Sequence, residues 1–181
     1  FRTAADKAYL PCKAFYADMA NQRQQNLLNR QQLIAQLIDY EASMDWQTAD
    51  WGIVQKTLDA ARETFRSFSP VDRHEHKNSQ ASLQLISDKI YAHIKAEYQK
   101  NIEAKEALIS QANALQDVEQ LSQAIEQSKQ LQADWKAIGI TPNKADQKLW
   151  QEFRVACDAV FSRRDEQRQQ NRVQIEASIE Q

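Results

Sequence analysis

A five-residue segment recurs along the chain. Gln22-Arg23-Gln24-Gln25-Asn26 returns as Gln167-Arg168-Gln169-Gln170-Asn171, and a blurred copy, Glu97-Tyr98-Gln99-Lys100-Asn101, stands between them. Copies 75 and 70 residues apart predict a tandem array of similar units instead of one globule. What the units are made of follows from punctuation. The 181 residues include two Gly and three Pro, too few for hairpins and tight turns, against 25 Ala and 25 Gln, which favour helix. The chain is therefore predicted to be all-α. With aromatic residues at 8%, the apolar area is expected in thin helical stripes and not in one deep core.

Helix-start signals give the expected layout. Ser69-Pro70 and Thr141-Pro142 each set a hydroxyl residue before a proline suited to the first helical position, and Asp45 and Asp117 each lie 25 residues upstream of those prolines as candidate caps. Gln120 completes a capping-box spacing with Asp117. Both offsets are 72. The signals predict long helices at roughly 1–43, 70–115 and 142–180 and short ones at roughly 46–67 and 117–138. Elements this long are not needed inside a compact domain, so they are expected to bridge modules. The predicted architecture is an elongated tandem of small three-helix bundles joined by long shared helices, on a spectrin-like logic. Residues 1–43 form the C-terminal part of a truncated repeat leading into the next, 44–115 a complete but divergent repeat, and 116–181 a signature-bearing repeat. Within the central long helix, Ile86, Ile90, Ile94, Tyr98 and Ile102 step by four, followed by Lys105, Ile109 and Ala112. This is an apolar face that drifts around the axis and suits two successive partners. The polar stretches 22–26 and 162–171 are expected to be lightly covered.

Phe1-Arg2-Thr3-Ala4 aligns with Phe153-Arg154-Val155-Ala156 at an offset of 152. Residue 1 is thus expected inside a helix of a truncated unit, with further units upstream. Relative to the later copy, seven extra residues, Leu10 to Tyr16, insert about two turns and nearly keep the phase. Pro11 within them is expected to kink or break the helix near Leu10.

The densest cluster is Asp134-Trp135-Lys136-Ala137-Ile138-Gly139-Ile140-Thr141-Pro142, followed by Leu149-Trp150, Phe153-Arg154 and Cys157-Asp158. The pattern W-K-x-x-G-x-x-P, then L-W-x-x-F-R-x-x-C-D, resembles the repeat of the bacterial domain-of-unknown-function 349 family. The resemblance implies a mostly helical unit present in one to several copies, a bacterial source and no assigned activity or catalytic residue. At offset 72 the central unit departs from the signature, with Glu63 in place of Trp135. Trp135, Gly139, Pro142, Trp150, Phe153 and Arg154 form a structural signature. Gly139 is expected in a left-handed, helix-closing conformation, Thr141 is expected to cap the next helix, and Trp135 to fold across the turn onto Trp150 and Phe153.

Chemistry is sparse. His74 and His76 are two apart and point away from each other on a helix, so solvated first-turn residues are expected, with no metal site. His93 earns no role. Cys12 and Cys157 are far apart and read as packing residues, which suits a reducing compartment. No nucleophile elbow, paired Cys–His or phosphate loop occurs. No enzyme, cofactor, metal or small-molecule substrate is therefore expected. A net charge of −2 gives no overall basic excess for nucleic acid, and no apolar run suits a membrane. The strongest local charge is the row Arg164, Arg168 and Arg172 with Arg163 beside it, a candidate phosphate or partner contact. The expectation is a cytoplasmic, non-enzymatic helical-repeat scaffold with a protein partner. The alternative is a nucleic-acid-associated protein using the Arg row.

Overall fold

A computed structural model describes residues 2–179, with side chains from 12 to 178. Five α-helices account for nearly all of it: α1 (Arg2–Ser43), α2 (Trp51–Ser67), α3 (Arg73–Ala114), α4 (Leu121–Ala137) and α5 (Asn143–Ile179). A 3-10 turn, Leu115–Asp117, lies between α3 and α4. Among the described residues there is no strand. Phe1, the first residue of the aligned truncated unit, lies outside the described residues. α1 is helical through Pro11, so the break expected near Leu10 is absent. A proline inside a long helix removes one N–H, and the bonds of the flanking turns continue the ladder.

The short helices start later than their predicted caps. Asp50, not Asp45, caps α2, its Oδ1 accepting from the N–H of Ile53 at 3.1 Å. Asp45 instead shapes the turn before it, accepting from the N–H of Gln47 and the hydroxyl of Thr48, both at 3.0 Å. Asp117 ends the 3-10 turn, and α4 opens at Gln120, which makes no side-chain cap bond.

Two compact units are formed, Phe1–Ile94 and Lys95–Gln181. The sequence boundaries at 43/44 and 115/116 count repeats from the short helices, whereas packing divides the chain inside α3. The two halves of α3 bury side chains in different cores: Ile86, Ile90 and Ile94 in unit 1, and Lys105, Ile109 and Ala112 in unit 2. In unit 1, α2 buries Val54, Leu58, Ala61 and Phe65, a stripe with one residue per helical turn. It meets Ile34 and Leu37 of α1 and Leu83, Ile86 and Ile90 of α3 as buried residues of the same unit. Each large side chain so buried contributes about 1.5–3 kcal/mol. In unit 2, α4 buries Ala124, Ser128, Leu131 and Trp135, in a core with Leu108, Leu115, Leu149, Phe153, Ala156 and Val160.

These stripes correct the repeat register. Val54, Leu58, Ala61 and Phe65 align with Ala124, Ser128, Leu131 and Trp135 at 70 residues, and the starts of α3 and α5 agree. The predicted offset of 72 paired Pro70 with Pro142, but these prolines occupy different places. Pro142 directly precedes α5, while Pro70 stands three residues before α3. Phe65, not Glu63, therefore occupies the place of Trp135.

Cys157 is buried in the core of unit 2, whereas Cys12 is exposed. An exposed thiol on a helix surface is no packing residue. His93 also departs from expectation. Its ring stacks on Trp46 at 4.0 Å, and its Nε2 donates to Glu41 Oε1 at 3.2 Å, fastening the turn between α1 and α2.

Candidate functional site

Among the described residues, each unit buries one cation beneath the loop that joins its short helix to the following long helix. In unit 2 it is Lys105, 5% exposed, on the apolar stripe of α3. Its ammonium lies 5.2 Å from the centroid of Trp135, donates to Thr141 Oγ1 at 3.0 Å and forms an ionic hydrogen bond with Asp146 Oδ1. Thr141 Oγ1 also donates to Asp146, at 2.8 Å. One turn earlier, Asn101 Nδ2 donates to the carbonyl of Ile140 at 2.8 Å. The hydrogen bond from Lys105 is the main cause holding the Asp146 carboxyl below the usual carboxylate range. The Thr141 bond and the Lys105 charge act the same way, and partial burial opposes them. Asp146 sits in the first turn of α5, where the helix dipole also favours an anion.

Unit 1 repeats the device with different chemistry. Arg30, 2% exposed, donates through Nε to the carbonyl of Phe68 at 2.7 Å and through Nη1 to His76 Nδ1 at 3.0 Å and Ser79 Oγ at 3.4 Å. Its guanidinium stands 4.4 Å from the centroid of Phe65. Asn26, one turn earlier, donates to the carbonyl of Pro70 at 2.9 Å. A guanidinium has only donors, so His76 accepts at Nδ1. His76 is exposed in the first turn of α3, as expected, and is in addition a partner of the buried cation. Burial lowers the pKa of Arg30 from its usual value, and the group stays charged because that value is so high. Both cations make their hydrogen bonds inside their own unit.

The signature residues line the same loop. Trp135 stacks on Phe153 with centroids 4.4 Å apart and tilts against Trp150 at 5.8 Å. Trp150 remains 45% exposed. Gly139 is not left-handed, since among the described residues no glycine has positive φ. Its role is space: a Cβ there would come 3.0 Å from Asn101 Nδ2, crowding the amide that holds the loop. Thr141 caps no helix. Its hydroxyl is used between Lys105 and Asp146, while Pro142 accepts the first backbone bond, from Asp146 N–H at 2.9 Å. Arg154 lies on the exposed side of α5, 3.5 Å from Asp158.

The four arginines of the row are not alike. Arg163 donates to the carbonyls of Leu115, Gln116 and Val118 at 2.7–3.2 Å. It closes the turn after α3, where unfilled carbonyls attract a cation. Arg164 pairs with Asp165 at 3.1 Å and lies 5.6 Å from the Phe161 ring. Arg168 and Arg172 are exposed, one turn apart, beside Asp165 and Glu176.

A groove between the long and the short helix appears in both units at matching positions. In unit 1 it measures about 400 Å³ and is lined by Leu33, Gln36, Leu37, Tyr40, Thr57 and Ala61. In unit 2 it measures about 470 Å³ and is lined by Gln111, Leu115, Val118, Gln127, Leu131 and Asp134. Thr57 and Gln127 correspond at the offset of 70, and Gln36 and Gln111 at 75. The Tyr40 hydroxyl is buried without a hydrogen-bond partner.

Among the described residues no cluster of His, Cys, Asp and Glu could hold a metal ion, and no helix is long and apolar enough to cross a membrane. Sequence reasoning passed over Arg30 and Trp46 and gave His76 and His93 no role beyond solvation. The available signal was Asn-x-x-x-Arg at 26–30 echoed by Asn-x-x-x-Lys at 101–105, each setting a cation in an otherwise apolar stripe. The family model described as Domain of Unknown Function (DUF349) matches residues 1–74 and 87–144. No curated protein and no solved structure matches the chain.

Proposed function

The chain belongs to the DUF349 family, and on that premise we propose that it is a non-enzymatic helical-repeat scaffold that works in the cytoplasm by holding amphipathic helices of a protein partner. The observation that carries this reading is the duplicated groove, nearly free of charge and built at corresponding positions of both units. A surface repeated at a fixed sequence interval is what tandem units offer a partner, and a groove between helices with a single charged residue, Asp134 of unit 2, in its lining suits an apolar helix face. The buried cations support the non-enzymatic reading, because their bonds close inside each unit. In this reading the units are bundles in tandem and α3 is their shared element.

The test is affinity capture from nuclease-treated bacterial extract with the wild type, Thr57→Arg in unit 1 and Gln127→Arg in unit 2. A charge in either groove should reduce recovery of the captured protein about tenfold, at unchanged helicity by circular dichroism. Capture that depends on nucleic acid, or that neither substitution weakens, refutes the scaffold.

Arg168 and Arg172 supply the observation for a second reading. They are exposed and adjacent on one helix face, available to phosphates as Arg163 is not. If the chain associates with nucleic acid through them, binding falls steeply with salt, and Arg168→Ala with Arg172→Ala reduces the salt slope by about two. No binding by the wild type at low salt removes this alternative.

A further inference from the structure

We propose that unit 1 carries a binding site for a small aromatic anion, one or two fused rings bearing a carboxylate or phosphate, in the cleft between α2 and α3 rimmed by Arg62 and Arg66. This site is separate from the grooves and does not rest on the scaffold reading. The cleft holds about 220 Å³ and is lined by Phe65, Gln80, Leu83, Gln84 and Ser87 besides the two arginines.

Unit 2 shows what normally fills this space. At the offset of 70, where unit 1 has Phe65, Gln80, Leu83 and Ser87, unit 2 has Trp135, Trp150, Phe153 and Cys157. There the indole of Trp150 packs against Trp135 and Phe153, with centroids 5.8 and 6.1 Å apart. In unit 1 the indole is gone and its neighbouring phenyl ring is reduced to an isobutyl group. A thiol that tolerates an apolar site has become a hydroxyl that needs a partner. Gln132 has become Arg62. Each difference opens the space or makes it more polar.

The polar groups around it are short of partners. Ser87 is 1% exposed and its hydroxyl has no hydrogen bond. Arg66, one turn from Arg62, makes no ion pair or hydrogen bond among the described residues. Arg62 has only Asp59, at 3.8 Å. Gln84 is committed to Asp88 at 2.7 Å. Two guanidiniums on one face of α2, over an aromatic and aliphatic wall, match a ligand with a ring to replace the missing indole and an anion to meet the fork of donors. A bare anion leaves the wall of Phe65 and Leu83 uncovered. A neutral ring leaves the two charges unmet.

Calorimetric titration of the whole chain with adenosine monophosphate and indole-3-acetate, against neutral indole and inorganic phosphate, tests this. The aromatic anions should bind at least about tenfold more tightly than either control. Arg66→Gln should weaken them about tenfold. Gln80→Trp, which restores the indole of unit 2, should abolish binding while circular dichroism shows an unchanged helix content. Aromatic anions that bind no better than indole and phosphate, or binding that survives Gln80→Trp, overturn the assignment.

Discussion

Lys105 and Asp146 differ in how much either loses if its partner goes. Lys105 is buried and Asp146 is nearly half exposed, so an unpaired Asp146 can turn to water and an unpaired Lys105 cannot. Lys105→Met, which keeps the stem and removes the charge, should cost about 1–2 kcal/mol, whereas Asp146→Ala, which strands the ammonium, should cost about 3 kcal/mol or more. Chemical denaturation of the two variants at neutral pH checks the order, and equal losses would show that Lys105 is not confined. Acid adds a second check. The Asp146 carboxyl lies below its ordinary value in the folded chain, so its stabilisation is complete above about pH 4 and is lost as the pH falls through the lower folded value. The Lys105→Met penalty should therefore shrink in strong acid. Gly139 gives a prediction of another kind. A methyl group at 3.0 Å from Asn101 Nδ2 must displace the amide that holds Ile140, so Gly139→Ala should cost about 1–2 kcal/mol. In an Asn101→Ala background most of that penalty should vanish, because the crowded group is already gone. Full additivity in the double-mutant cycle would place the strain elsewhere.

Helix ends show what the sequence could and could not reveal. All five helices were legible from the scarcity of Gly and Pro and from apolar periodicity. The long helices also came out near their observed limits, since many turns of one stripe outweigh a wrong end. Caps were not legible in the same way. Asp45, Asp50 and Asp117 are chemically the same signal, and only the packed stripe beginning at Val54 shows that Asp50 is the one in register. The prolines misled for a related reason, since Pro70 lies in a loop and Pro142 against a helix start. That error of two residues hid the equivalence of Phe65 with Trp135, and with it the matching cations. The correct register gives a design test. Gln120 holds the place of Asp50 but makes no cap bond. Gln120→Asp should stabilise unit 2 by about 0.5–1 kcal/mol, somewhat offset by the neighbouring Glu119, and Asp50→Ala should destabilise unit 1 by about 1 kcal/mol. Thermal melts of both variants decide it, and no gain from Gln120→Asp would mean that the first turn of α4 is already satisfied by solvent.

For the molecule as a whole, two cores contributed to by one helix raise the question of cooperativity. The units each have their own buried stripe, and the residues that link them are those of α3, helical from Arg73 to Ala114. In tandem arrays stability is close to a sum of unit terms plus a nearest-neighbour term. Here that term includes the advantage of extending a helix already nucleated over starting one anew. Phe153, 1% exposed in the core of unit 2, is suited to separate these contributions. Phe153→Ala should cost unit 2 about 3–5 kcal/mol while leaving every side chain of unit 1 in place. Hydrogen exchange followed on peptides from α2 and α4 should then show faster opening of α4, with α2 retaining most of its protection. Amides of α3 beyond Lys95 should exchange with α4, and those before Ile94 with α2. Equal acceleration in α2 and α4 would mean that the helical link couples the cores into one cooperative block, and that the division inside α3 describes packing but not stability.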